Sequence, residues 1–277
     1  MPTGRADDPL PGPPAGTSPS AVTSALRDDG GMELTAEDLR SLPRTVRRWW
    51  PLALAGVDEA VLEARREGHA TSLAGLEARS RRHAEVVAAD GKAADRHAAA
   101  EAALADLVAA AALLRALGLV PTAGRGRVES VHVAPAGGVP KPPVGAAAVG
   151  PAGLEGDRQA TPRAHGRPWQ AVSLWSAEVI ERFAAQGHGL FPGAAGENLT
   201  LRGLDWAALR PGVRLRVGSA GVELTTPCTP CKANARWFAD GDPGRMGHDR
   251  DPASTRWYAR VVTPGAVAVG DAALLEP

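Results

Sequence analysis

The hydrophobic period of this chain changes once, across a short polar segment at residues 122–126 that carries Gly124 and Gly126. Ahead of it, apolar residues recur at the spacing of a helical turn. Beyond it, short valine-rich runs are separated by Gly and Pro. Both textures in one chain, in that order, predict an α+β protein: an all-helical module over residues 32–121, then a mostly β unit over 127–277. Many short strands imply a barrel or a sandwich.

In the first part, Thr35 followed by Asp38 resembles a capping box, and Leu39, Leu42, Val46 and Trp49 repeat near one helical turn. Pro43 and Pro51 are expected to break this run into short pieces. Helices are expected over residues 52–67, 73–88 and 93–117, the last stopped by Gly118 with Pro121 beyond. His69, His83 and His97 lie in charged, Ala-rich surroundings and read as helix-face residues. In the second part, β runs centre on Val128, Val131 and Val133, on Val213, Leu215 and Val217, on Val222 and Leu224, on Val261 and Val262, and on Val267 and Val269. One helical interlude is expected over residues 176–186, with Ser176 as N-cap and Gly187 as stop. Residues 1–31, rich in Pro, Gly, Ser, Ala and Asp, are expected to form a disordered tail.

Lys plus Arg and Asp plus Glu each number 31, so no net field draws the molecule to nucleic acid or to an anionic membrane. The Ala-rich stretch around 98–118 is interrupted by Glu101, Asp106 and Arg115, which argues against a membrane span. The first residues carry no basic segment followed by an apolar run, and two cysteines are no secreted disulfide framework. A cytoplasmic setting is expected.

Those two cysteines fall together in Pro227-Cys228-Thr229-Pro230-Cys231-Lys232. A thiolate is a nucleophile and a soft metal ligand, and a cation such as Lys232 favours it. Buried cysteines also serve as small hydrophobes, so the pair alone leaves the reading open. A thioredoxin-like dithiol needs a βαβ setting that the flanking runs lack, and a zinc site would draw on the scattered His132, His165, His188 and His248.

Four polar, Gly-containing clusters interrupt the strands. They are Gly137-Gly138-Val139-Pro140-Lys141; Gly153-Leu154-Glu155-Gly156-Asp157-Arg158-Gln159 with His165-Gly166-Arg167-Pro168; Gly193-Ala194-Ala195-Gly196-Glu197-Asn198-Leu199; and the cysteine stretch. Loops that approach a ligand closely need glycine for room and polar side chains to fix a partner.

The order Gly-Leu-Glu-Gly-Asp, His-Gly-x-Pro, Pro-Gly-x-x-Gly-Glu-Asn-Leu, Pro-Cys and Tyr-Ala-Arg-Val resembles the MOSC domain, named for the C-terminal part of molybdenum-cofactor sulfurase. The likeness runs from about Arg127 to Leu275. It implies a barrel-like fold in which one cysteine binds the molybdenum of the pyranopterin cofactor, or carries a persulfide. It also implies reduction of N-hydroxylated compounds, with electrons or sulfur from an external protein and a small-molecule substrate. No pyridoxal phosphate is expected in this chain. Carried over, the family cysteine matches Cys231 and the asparagine that holds the cofactor matches Asn198. Asp157, His165, Ser173 and Glu197 fall on the polar lining, with His165 as a catalytic candidate. Lys141, Arg158, Arg167 and Lys232 are candidates for the cofactor's phosphate, since guanidinium and ammonium groups suit phosphate oxygens. Two positions depart from the family's pattern: Cys228 stands where Arg is frequent, and Arg167 stands where Gly is frequent. A persulfide carrier or a cofactor-binding module without turnover is the alternative function.

Overall fold

In the computed structural model the described residues are 34–63, 72–159 and 166–277. The expected tail at 1–31, His69, the end of the run at 52–67, and His165 lie outside them.

The N-terminal helices follow the spacing of the sequence with one correction. Helix α1 spans Ala36–Ala53. Its capping box is complete: the Thr35 hydroxyl accepts from the Asp38 N–H at 3.2 Å, and the Asp38 carboxylate accepts from the Thr35 N–H at 2.7 Å. Pro43 and Pro51 sit inside this one helix and do not divide it. An interior proline costs about 3 kcal/mol through its missing N–H and its clash with the preceding turn. Leu39, Leu42, Val46, Trp49, Trp50 and Ala53 are all buried, and at about 1.5–3 kcal/mol for each large side chain their burial outweighs that cost. After α1 come the short α2, Glu59–Glu63, then α3, Leu73–Ala88, and α4, Ala93–Ala116.

Among the described residues α4 is the one helix whose length and composition would suffice to cross a membrane, with a mean hydropathy of 1.5. The expected interruptions explain why it instead packs as a core helix. Asp106 accepts from Arg79 at 3.0 Å and lies 3.2 Å from His83 Nδ1, while Arg115 donates to Glu223 at 2.7 Å. Buried charges need partners of this kind, and a packed protein supplies them.

The second part closes as a barrel. Strands β1 (Arg125–His132), β5 (Val172–Ser176), β6 (Leu199–Arg202), β7 (Arg214–Val217), β8 (Ala220–Pro227), β9 (Trp257–Thr263) and β11 (Ala272–Glu276) form a ring in the order β1-β6-β5-β9-β8-β7-β11. The pairing of β11 with β1 closes it. All of these pairs are antiparallel except β5 with β6, whose connection carries helix α5, Ala177–Ala185. Parallel neighbours require such a crossover. Ser176 caps α5 as expected, accepting from the Val179 N–H at 3.2 Å. Strand β2 (Pro143–Val144) extends the sheet beside β1, and β3 (Ala146–Gly150), β4 (Gly153–Leu154) and β10 (Gly265–Ala268) form a small second sheet.

Two features of the expected hinge belong to the barrel. Arg125 and Gly126 are already paired with Leu274 and Ala273 in the closing ladder. A Cβ on Gly126 would meet the Arg202 carbonyl oxygen at 2.3 Å, so this glycine serves close strand packing.

Residues 34–277 form one compact unit with a shared apolar core. Strand β8 shows why: every residue in it is buried. Val222 and Leu224 belong to that core, while Glu223 and Thr225 line a small cavity with Thr45 and Trp49 of α1 and Leu104 and Leu107 of α4. Glu223 answers the guanidinium groups of Arg115, Arg214 and Arg260 at 2.7, 3.4 and 2.9 Å.

Candidate functional site

The polar clusters meet through a hydrogen-bonded network centred on Asp157. Its Oδ1 accepts from the Ala134 N–H at 2.8 Å, and its Oδ2 accepts from Lys141 Nζ at 2.5 Å and Asn198 Nδ2 at 2.8 Å. Asn198 also donates to the His132 carbonyl at 3.2 Å, and its Oδ1 accepts from the Ser173 N–H at 3.1 Å and the Ser173 hydroxyl at 2.9 Å. Both donors and both lone pairs of the amide are therefore engaged inside the protein, and the residue is only 2% exposed. Burial lowers the pKa of Lys141 against the pull of Asp157, and burial likewise lowers that of His132.

Gly193 sets how closely the loop before β6 can approach. It has φ +85°, and a Cβ there would lie 2.5 Å from the Lys141 carbonyl oxygen and 2.6 Å from His132 Nδ1. Its N–H donates to Glu197 Oε1 at 2.6 Å. Glu197 is wholly buried, and its other oxygen, Oε2, has no hydrogen-bond partner among the described residues.

Beyond this network lies the cysteine loop, which follows β8. Ser173 and Tyr258 are direct partners across β5 and β9, and Tyr258 shares a hydrogen bond with the Cys228 thiol. The Cys228 N–H donates to the Arg256 carbonyl at 2.8 Å. Cys228 is 2% exposed, and burial pushes its thiol pKa up to about 11. Burial also raises the Tyr258 hydroxyl, with Cys228 adding to the shift. Cys231, three residues on, is half-buried and leads into a 3₁₀ turn at Lys232–Trp237. Its carbonyl accepts from the Asn234 N–H at 3.0 Å, while its thiol has no hydrogen-bond partner among the described residues.

Side-chain bonds to backbone tie the surrounding loops together. Asn234 and Arg256 both donate to the Ala195 carbonyl, and Arg236 donates to that of Val139. Helix α1 reaches the same loop, with Arg48 donating to the Thr229 hydroxyl at 3.0 Å. Exposed Phe191 packs edge-on against Trp237 at 5.2 Å, and Arg236 lies 4.6 Å over the Trp237 ring.

The structure thus brings Lys141, Asp157, Ser173, Glu197 and Asn198 together, with the cysteines adjoining. It separates the four cations proposed for phosphate. Lys141 is paired with Asp157; Arg167, 5% exposed, is paired with Asp38 of α1 at 3.2 Å. Arg158 and Lys232 remain exposed. Sequence reasoning counted His132 only among the scattered histidines, quoted Tyr258 only within the Tyr-Ala-Arg-Val motif, and missed Arg256. Arg256 closes the polar stretch Asp251-Pro252-Ala253-Ser254-Thr255, where an arginine reads as solvating, so no local signal marked it. Among the described residues no three His, Cys, Asp or Glu side chains cluster as a metal site. A surface groove lined by Ser176, Glu178, Arg182 and Trp206 includes none of these groups.

A closed seven-stranded barrel bearing a cysteine loop beside a buried polar network defines the class. Residues 161–273 match the family model of the MOSC domain. Strands β1 to β4, with Lys141 and Asp157, precede the matched segment. The chain is similar to protein YiiM of Escherichia coli, at 29% identity over 120 residues, which is 42% of this chain and 53% of that protein. It thus spans about half the length of this curated relative. The solved structure of YiiM from Escherichia coli aligns at 23% identity with a TM-score of 0.44, over 55% of this chain and 70% of that one. The YuaD protein of Bacillus subtilis aligns at 18% identity with a TM-score of 0.43, over 55% and 96%.

Proposed function

We propose that this chain binds the molybdenum-containing pyranopterin cofactor through Cys231 and reduces N-hydroxylated compounds in the cytoplasm. The observation that carries the reading is the contrast between two cysteines of one MOSC domain. Cys228 is sealed and bonded to Tyr258, whereas Cys231 is half-buried and its thiol has no hydrogen-bond partner among the described residues. The donor set fits the group, because a thiolate suits a soft metal centre and one protein thiol is what the resemblance assigns to it.

Cys231 would hold the metal, and its carbonyl bond to Asn234 fixes the backbone on which the thiol is carried. Exposed Arg158 and Lys232 keep their charges for the cofactor's phosphate, while Lys141 answers Asp157 and Arg167 answers Asp38. Asn198, Ser173 and Asp157 act as positioning residues that hold the loops around the thiol. When bound, the cofactor supplies the two-electron chemistry: the N–O bond of a hydroxylamine breaks, and a pair of electrons with a pair of protons yields the parent amine and water, the electrons coming from an external donor protein.

The test is reduction of an N-hydroxylated compound by protein made in a cofactor-competent host, with a chemical electron donor. Turnover by wild type and by Cys228→Ser, but not by Cys231→Ser, supports the reading. Turnover by Cys231→Ser contradicts it. A persulfide on Cys231 in protein without molybdenum favours a sulfur carrier instead.

A further inference from the structure

Arg256 is the exceptional cation of this region. The residue is 7% exposed, one guanidinium nitrogen donates to the Ala195 carbonyl, and no carboxylate lies within 4.0 Å of it among the described residues. The other buried cations are all paired: Arg115 with Glu223 at 2.7 Å, Arg167 with Asp38 at 3.2 Å, and Lys141 with Asp157 at 2.5 Å. The two remaining guanidinium nitrogens of Arg256 meet no acceptor among the described residues, and neither is sealed from solvent.

Its surroundings do not supply the missing partner. Glu197 is near enough to act on Arg256 through space, but its Oε1 faces the Gly193 N–H and Thr200, and its Oε2 meets no donor. The Asn234 Oδ1, also buried, is likewise without a partner. Both cysteines and Tyr258 are within electrostatic range of the guanidinium. Burial works against the Arg256 charge, yet Glu197 favours it and a guanidinium keeps its proton at neutral pH, so the group stays cationic. A buried arginine with free, unsealed nitrogens presents a planar fork that matches two oxygens of one anionic group. The desolvation that makes an unpaired buried cation costly also makes its attraction for an incoming anion strong.

We propose that Arg256 is the receptor for a tetrahedral oxyanion group that enters beside Cys231. The inference requires Cys231 to mark the mouth of the site, but it does not require the metal reading. It assigns recognition of an oxyanion beside the thiol to the residue just before β9, in addition to the exposed Arg158 and Lys232.

Inorganic phosphate and molybdate are the probes, used on the full chain. Equilibrium dialysis measures phosphate binding, and peptide mapping after iodoacetamide treatment measures protection of Cys231. Wild type is expected to bind phosphate saturably, and either anion is expected to slow Cys231 alkylation several-fold. Arg256→Gln is expected to weaken phosphate binding about ten-fold or more, because the hydrogen bonds lost are charge-assisted. Arg256→Lys keeps the charge without the fork and is expected to lie between. Absence of saturable binding in wild type, or affinity unchanged in Arg256→Gln, overturns the proposal. Should Arg256→Gln fail to fold, wild-type protection and the Arg256→Lys affinity still decide it: no protection, or an unaltered affinity in Arg256→Lys, overturns it. Phosphate protection in a chain that never retains molybdenum would leave this proposal standing while the redox reading falls.

Discussion

The Asp157 network and the Cys231 corner adjoin each other and differ in one property, the degree to which their polar groups are satisfied. Around Asp157, both carboxylate oxygens, the Lys141 ammonium and the whole Asn198 amide have protein partners. Around Cys231, the thiol, two nitrogens of Arg256, Glu197 Oε2 and Asn234 Oδ1 have none among the described residues. Buried polar groups left without partners destabilise a fold, and they persist where a ligand can complete them. Under the proposed reading the first region is scaffold and the second is the place for chemistry, although both are built from the same Gly-rich loops.

The largest expected effect breaks the saturated side. Asp157→Ala strands the Lys141 ammonium in a buried site, and removal of one partner from a buried pair costs about 3–5 kcal/mol. Urea unfolding should show that loss even in cofactor-free protein; a change below about 1 kcal/mol would mean the network is not structural. Asn198→Ala should follow at about 2–3 kcal/mol, since it leaves Ser173 and Asp157 short of a partner. A loss of cofactor with stability unchanged would instead place Asn198 in direct contact with the ligand.

How much of this the chain disclosed differs by level. The helical spacing of Leu39, Leu42, Val46 and Trp49, the caps at Thr35 and Ser176, and the short valine runs were legible because local periodicity determines them. The continuity of α1 through Pro43 and Pro51 was not, because tertiary burial of Trp49 and Trp50 overrides a local breaker. The four clusters pointed to Lys141, Asp157, Ser173, Glu197 and Asn198 as a group, and these residues do gather. The mutual saturation of Lys141, Asp157, Ser173 and Asn198 was hidden, since it depends on register between strands far apart in sequence. Arg167 shows the same limit: its partner, Asp38, lies 129 residues away, and no local pattern links the two. Arg256 was read past for the opposite reason, because its significance is the lack of a partner, which only a packed structure reveals.

Smaller effects sharpen the contrast. An unfolded Cys228 ionises near 9.0 and the native thiol only at about 11, so the native state keeps a proton that the unfolded state releases. Stability is then unaffected by this group below pH 9 and falls as pH rises toward 11, by up to about 3 kcal/mol. Cys228→Ala should remove that part of the slope, read as the difference between the two unfolding profiles; parallel profiles would show that the thiol is not sealed. The smallest effect on folding is expected on the unsaturated side. Arg256→Gln should change stability by less than about 1 kcal/mol, because the guanidinium makes a single hydrogen bond and glutamine removes an unpaired buried charge. A loss as large as that of Asp157→Ala would return Arg256 to the scaffold.

The most direct measurement is molybdenum and pterin content per chain for wild type, Cys228→Ser and Cys231→Ser, each purified from a cofactor-competent host. The unsaturated corner predicts near-equal metal and pterin in wild type and Cys228→Ser, with loss of molybdenum in Cys231→Ser while its unfolding curve stays that of wild type. Retention of molybdenum by Cys231→Ser together with its loss from Cys228→Ser would contradict the account, because the sealed thiol would then be the ligand.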